Sequence, residues 1–505
     1  MIKKQMILFN ERTRIMDRRC GTKKHNRRRE HISVIRRFKT ASPVAKASMA
    51  LLFANLVLKG LSLISGPIFT RIMSEEQYGI VSTFVSWESL LTVIITLNLS
   101  AGVFNNGMMD FKEDRDSFEF SLLTVSSLMA IIGFCVFLLF RRPLLNLFEF
   151  PEIAVDLMFL KFLFVPAYSY WSGRQRYEYK YRALASITVV SAVLSMMIGL
   201  FGVLYVDDSN AAITRIIAME GVSIAIGIVF FIILCFRARF RPNLQYCNYA
   251  LKFNVPLIPH YLSMYVLSGS DRIMITKMIN ASATAVYSVA YTVASVIMIV
   301  WQSIDASFSP WIYEKLDASE KAPVYKLTTG IALLFAGLCL GCTLLAPEIM
   351  MILAPASYSS GIYVIPPVSA GVFFTTLYSV YMRIELFYKQ TGFATIATTI
   401  AAVLNIILNY IFIDVFGAVA AGYTTMTCYA LLALFHYLNV RRKGYSDIIN
   451  NKAFLGISMV VTIGSVIISL LYSYLILRVS LIAVATIIAI CKRKAIIKLP
   501  MIRKK

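Results

Sequence analysis

Charged side chains recur in this sequence where their neighbours are almost all apolar. Lys59 lies in NLVLKGLSLISG, Glu88 in STFVSWESLL and Glu220 in IIAMEGVSIAI. His260 follows Pro259 in VPLIPHYL, and Asp271 and Arg272 are adjacent in YVLSGSDRIMI. Asp305, Arg383 and Glu385 stand nearer the ends of such runs, as do Arg71, Lys161 and Arg215. A charge in apolar surroundings is costly, so it is paired, hydrogen-bonded or used. Lys59, Arg71, Arg272 and His260 suit an anionic group such as a phosphate or diphosphate, because arginine offers a fork of donors and lysine a point charge. Glu88, Asp271 and Asp305 suit a coupling cation, or hold those basic groups in place. Glu88 is expected to pair with Lys59. Arg71, Lys161, Arg215 and Arg383 can also be read as side chains reaching for a membrane interface. Asp271 and Arg272 point about 100° apart on a helix, so each is expected to find its partner on another helix. No catalytic residue and no metal site emerges, and no cofactor is expected.

The elements that must position these residues are membrane spans. Of 505 residues, 58% are hydrophobic and 15% charged, with mean hydropathy +0.69. A soluble protein carries about 25% charged residues. Fourteen apolar stretches are each about the length that crosses a bilayer as a helix. They lie near 49–73, 79–104, 118–140, 155–172, 183–206, 212–236, 250–275, 283–308, 326–346, 360–385, 391–413, 415–439, 453–472 and 474–491. With the basic N-terminus inside, most of the 50 Lys and Arg fall in inside segments such as GRQRYEYKYR, RARFRPNLQY and VRRKGYSD. The outside loops, VDDSNA among them, are nearly free of them; Arg141 and Arg142 are the main exception. Both termini are therefore expected in the cytoplasm, and the net charge of +23 reads as topology rather than as nucleic-acid binding.

A repeat divides the chain. NLVLKGLSLISGPIFTRIM in the first span and NVPLIPHYLSMYVLSGSDRIM in the seventh both begin with Asn and end in Arg-Ile-Met. Both also carry proline in the apolar run, Pro67 in one and Pro256 and Pro259 in the other. Copies six spans apart start from the same side, which is a parallel repeat about an axis along the membrane normal. The expected fold is an all-α polytopic membrane protein of two six-helix lobes plus two further helices. The expected divisions are a basic, disordered tail over 1–47, lobes over 48–240 and 241–440, and two helices with a basic tail over 441–505. The N-terminal tail reads as a segment held near anionic lipid; a start nearer Met49 and a partner-binding role are the alternatives. The three prolines are expected to break or hinge their helices beside a cavity.

Other motifs carry less. Cys339-x-x-Cys342 sits in an apolar span without a second ligand pair, and Asp114-x-Asp116 in a charged loop reads as solvated surface. No Walker A pattern is present.

The stretch NLVLKGLSLISGPIFTRIMSEEQYGIVSTFVSWESL resembles the polysaccharide-biosynthesis flippases of the Wzx type, relatives of the multidrug and toxin extrusion transporters and of lipid II flippases. PLIPHYLSMYVLSGSDRIMITKMINASATAVYSVAY is similar to the family's seventh helix, and NIILNYIFIDVFGAVAAGYTT to its eleventh-to-twelfth junction. Asp414 stands where that motif often has proline. The resemblance implies a central cavity and alternating access driven by a gradient of Na+ or H+. It implies as substrate an undecaprenyl-diphosphate-linked oligosaccharide, turned from the inner to the outer leaflet of a bacterial cytoplasmic membrane. Membrane lipids and other polysaccharide-assembly proteins are the further expected partners, and nucleic acid is not. A cation-coupled drug exporter of the same superfamily is the first alternative. A membrane polymerase or glycosyltransferase is the alternative from another class.

Overall fold

The computed structural model describes residues 43–178 and 180–483. Among them no strand occurs. The helices are α1 (Pro43–Ile72), α2 (Glu75–Ile95), α3 (Gly102–Asp110), α4 (Arg115–Leu139), α5 (Arg141–Phe148), α6 (Glu152–Tyr177), α7 (Tyr181–Leu204), α8 (Ala211–Arg237), α9 (Leu244–Asn254), α10 (Ile258–Met278), α11 (Ala281–Asp317), α12 (Lys321–Leu344), α13 (Ala346–Leu353), α14 (Ile365–Phe387), α15 (Thr391–Phe416), α16 (Ala418–Arg442) and α17 (Asn451–Leu470). Residues 475–483 are helical as well.

Ten helices among the described residues are long and apolar enough to cross a membrane, eleven if the bent pair Ala356–Tyr363 and Ile365–Phe387 is one span. The two helices that carry Arg-Ile-Met, α1 and α10, have 30 and 21 residues, also enough to span. The protein is an all-helical, multi-pass membrane protein, as its composition requires: in lipid a helix satisfies its own backbone. Residues 484–491 of the last expected span, 474–491, and the tail over 1–42 lie outside the described residues.

Two expected spans are cut where the chain turns. The run over 79–104 ends as helix at Ile95, and Leu97 and Asn98 take left-handed backbone, φ 52° and 48°, before α3 begins. The run over 250–275 starts as α9, turns through a 3-10 segment at Val255–Leu257 and continues as α10. Pro256 lies in that turn and Pro259 in the first turn of α10, where a missing N–H costs no helical bond. Pro67 differs: α1 runs through it to Ile72. The loops after the two Arg-Ile-Met copies both end in a helix cap. Ser74 accepts from the Gln77 N–H ahead of Glu75 and Glu76, and Asn280 accepts from the Ala283 N–H.

By compactness the chain separates into two units. The smaller holds, of the described residues, 43–59, 174–178 and 180–190. Within it the Glu178 carboxylate accepts from Arg174 at 2.5 Å and Lys180 at 2.7 Å. The larger unit, 60–173 with the residues from 191 onward, holds everything that follows.

Among its described residues are two apolar cores, with Tyr78 packed against both. One gathers Phe69, Phe84, Phe137 and Phe162 from α1, α2, α4 and α6. The other runs from Leu267 to Val461 and includes Tyr287, Trp301, Phe335 and Phe373. Helix α17 belongs to this second core, packing on α12 and α14 through Phe454 and Val461. Beyond it Arg478 is paired with Glu348 of α13 at 2.5 Å.

The cores meet where α2 packs on α10 and α11. Gly79 makes that approach possible, because a Cβ there would collide with the carbonyl of Ala281. Gly79→Val is expected to push α2 off α11 and cost about 1–3 kcal/mol. A thermal melt of the purified variant that matches the parent protein would show that the contact carries no load.

Candidate functional site

The second core holds a buried polar ladder between α10 and α15. His260 Nδ1 is 3.0 Å from Thr398 Oγ1, Ser263 donates to Thr399 at 3.2 Å, and Ser270 donates to Asn405 at 3.3 Å. One residue further, Asn409 donates to Asp271 Oδ1 at 2.7 Å. Asn405 and Asn409 are four residues apart, so they fall on one face of α15. The small residues Ala420, Ala421 and Gly422 are on α16, which packs closely on α15.

Asp271 ends this ladder with no exposed surface. Its Oδ2 accepts from the Tyr287 hydroxyl of α11 at 2.5 Å and from the Thr425 hydroxyl of α16 at 2.9 Å. Asn409 in turn accepts from Thr424, and Asn405 donates to Thr425 at 3.1 Å. Neutral donors from three helices therefore offset the burial of this carboxyl. Arg272 turns elsewhere, donating to Ser288 of α11 and the Ser268 carbonyl at 3.2 Å each, with its guanidinium carbon 4.6 Å from the Tyr291 ring centroid. The adjacent pair thus divides its contacts between helices.

The first core holds a second charged cluster. Lys161 of α6 lies 2.7 Å from Glu88 of α2 and 3.0 Å from Glu220 of α8. The expected partner of Glu88, Lys59, has its side chain outside the described residues; the partner observed is Lys161, which sequence alone read as an interface cation. The geometry explains the difference, since α6 and α8 bring three mid-helix charges to one level. Asp305 is likewise ion-paired, with Arg383 at 2.5 Å and with Ser309 donating to it at 3.1 Å. Glu385 is 2.7 Å from both His436 Nδ1 and Asn439 Nδ2.

Arg71 is exposed and closes one end of the seam. Its guanidinium donates to the Pro67 carbonyl at 2.8 Å and to the Met351 and Ile352 carbonyls at 3.3 and 3.0 Å, at the C-terminal end of α13. Thr70 donates to Leu353 at 3.0 Å beside it. Deeper in, Thr83 of α2 and Thr276 of α10 are 2.6 Å apart, and Thr276 is 2.6 Å from Thr284 of α11. At the opposite end Asn254 donates to the Leu97 carbonyl, and Tyr249 and Tyr246 donate to Asp110 and Asp114 at 2.8 and 3.1 Å. Polar contacts thus hold both ends of the seam, α1 to α13 at one and α9 to α3 and its flanking turns at the other.

Sequence reasoning found Asp271 but missed Tyr287, Asn405, Asn409 and Thr425. The Asn-x-x-x-Asn spacing inside an apolar helix was the available signal.

The profile of the polysaccharide biosynthesis protein family matches residues 44–316, more than half of the chain. The chain belongs to this family. A curated relative, the probable low-salt glycan biosynthesis flippase Agl15 of Haloferax volcanii, is 22% identical over 403 residues, 78% of this chain and 82% of the relative. Among solved structures, the lipid II flippase MurJ in an inward closed conformation aligns with TM-score 0.67 and 16% identity, over 90% of this chain and all of that one. An inward-facing multidrug resistance MATE family transporter of the MOP superfamily aligns with TM-score 0.54 and 14% identity, over 79% of this chain and 98% of the other. These two likenesses show that this member of the family has the fold of that superfamily.

Proposed function

We propose that the protein translocates a lipid-linked oligosaccharide, carried on undecaprenyl diphosphate, from the inner to the outer leaflet of a bacterial cytoplasmic membrane for surface-polysaccharide assembly. Family membership and the flippase names of the relatives in sequence and fold support this reading. The observation that carries the mechanism is the pair of apolar cores joined by a narrow polar seam. Alternating access needs contacts that two bodies can exchange without unfolding, and hydrogen bonds between threonines fit that need. Both termini are taken as cytoplasmic, and the lobes as 48–240 and 241–440, with the helices after 441 riding on the second.

In this reading Lys59, Arg71, Arg272 and His260 attract the diphosphate. Arg71 serves twice, since its donors are on backbone carbonyls while that end is closed and become available when it opens. Pro256 and Pro259 mark the break that lets α10 move relative to α9, and Pro67 is the matching position in α1. Asp271 is the coupling-ion site: one carboxylate beside the hydroxyl oxygens of Tyr287 and Thr425, with the Asn409 amide donating to it, suits a hard monovalent cation such as Na+, or a proton. Asp305, held by Arg383, serves charge pairing. No step asks the protein for a catalytic group.

The test is movement of undecaprenyl-diphosphate oligosaccharide across proteoliposomes under an imposed Na+ or H+ gradient, with Arg272→Ala and Lys59→Ala alongside. A hydrogen bond to a charged group is worth about 1.5–3 kcal/mol, so each variant is expected to slow movement about tenfold or more. Movement unaffected by both would discard the cationic site. No movement by the parent protein would favour a drug exporter or an enzyme.

A further inference from the structure

Two carboxylates and one ammonium meet inside the first core, and their formal charges do not balance. Lys161 Nζ touches Glu88 Oε1 at 2.7 Å and both oxygens of Glu220 at 3.0–3.1 Å. With all three ionised the cluster carries one uncompensated negative charge. Among the described residues, Lys161 is ion-paired with Glu88 and Glu220 and no fourth charged side chain pairs with the three. The charges on the surrounding helices are engaged elsewhere. Arg215, five residues before Glu220 on α8, lies against the rings of Phe69 and Tyr78. Asp271 and Arg272 of α10 act on Tyr287 and Tyr291 of α11. Asp156 precedes Lys161 by more than a turn of α6, Glu75 and Glu76 lie at the start of α2, and Glu119 of α4 is near that helix's first turn. An uncompensated charge in the apolar part of a bundle is far more costly than a neutral pair.

The two acids are not equivalent. Glu88 makes the shorter contact and keeps 12% of its side chain exposed, whereas Glu220 has none. Both Glu220 oxygens lie 3.0–3.1 Å from an ammonium that Glu88 also holds, so one cation is shared between two acids. A proton on Glu220 makes the cluster neutral: carboxylate plus proton gives carboxylic acid, leaving one ammonium and one carboxylate.

We propose that Glu88, Lys161 and Glu220 form a proton-binding site, with the proton on the fully buried Glu220, distinct from the Asp271 site of the other core. The site shares α2 with the seam, since Glu88 is five residues from Thr83. Its proton is therefore placed to be loaded and released as α2 changes partners. The proposal stands apart from the substrate assigned above, because its test needs no lipid-linked sugar.

The experiment is infrared difference spectroscopy of the full-length protein in lipid nanodiscs. A carboxylic C=O band is expected at neutral pH and should shift in D2O. It should disappear in Glu220→Gln, with the amide bands unchanged, and also in Glu88→Gln, which leaves one ammonium facing one carboxylate; Glu88→Asp should leave it in place. Asp271, Glu119 and Glu385 are buried acids too, so the component lost in Glu220→Gln is the diagnostic one. Should that variant fail to fold, Glu220→Asp must move the band in frequency. Absence of any such band in the parent protein, or a band indifferent to both Glu220 substitutions, overturns the proposal. A band that moves in frequency in Glu88→Asp and not in Glu220→Asp places the proton on the other acid and overturns the assignment to Glu220.

Discussion

Asp271→Asn is expected to yield a folded protein that no longer responds to the ion gradient. Asparagine keeps the Oδ1 to which Asn409 donates. Its amide nitrogen replaces Oδ2, and the hydroxyls of Tyr287 and Thr425 can rotate to accept from it. The hydrogen bonds therefore survive in altered polarity, and the fold should keep its stability to within about 1 kcal/mol. What disappears is the charge that holds a cation. Asp271→Leu is harsher, because it leaves three buried donors without an acceptor at about 1–3 kcal/mol each. That sum is comparable with the whole stability of many folds, about 5–15 kcal/mol, so this variant should express poorly. The measurements are gradient-driven transport and the melting temperature of each variant. An Asp271→Asn protein that transports with full gradient dependence would remove Asp271 from ion coupling.

The second large effect comes from locking the seam. The hydroxyls of Thr83 and Thr276 are 2.6 Å apart, and each is next in sequence to a residue of a different core, Phe84 of the first and Ile275 of the second. Cysteines at both positions would place two sulfurs within reach of a disulfide, whose bond is about 2.05 Å. Oxidation is expected to stop transport completely, and reduction to restore it, while either single cysteine remains active. The native cysteines leave this assignable: Cys235, Cys339 and Cys428 are buried, and the single variants control for the others. Full activity in the crosslinked protein would mean that the cores do not part at this contact during the cycle.

Much of the fold was legible because lipid leaves few choices. Apolar length located most of the spans approximately, though ten or eleven of the fourteen expected pass as membrane-crossing helices among the described residues, and the two Arg-Ile-Met copies fall at the ends of α1 and α10. Hydropathy could not see the breaks after Ile95 and Asn254, because Leu97 and Val255 remain apolar while the backbone turns. Partners were harder to read than positions. Glu88 is mid-helix from the sequence, but whether it meets Lys59 or Lys161 depends on the rotation of three helices about their axes. The Asp271 cage was hidden for another reason. Threonine and asparagine are individually unremarkable in a span and become informative only when α10, α11, α15 and α16 converge.

Helix α11 adds a mechanical consequence. It has 37 residues, about 55 Å at ~1.5 Å each, nearly twice the ~30 Å hydrocarbon thickness. Its first residue, Ala281, is the one that meets Gly79, and its buried residues from Thr284 to Leu316 fasten it into the second core along its length. It is a lever with its fulcrum at one tip. Rocking by ~10° about that contact would sweep the far tip through roughly 10 Å, so a displacement at the threonine seam that only exchanges its hydrogen bonds can open a wide mouth at the other face.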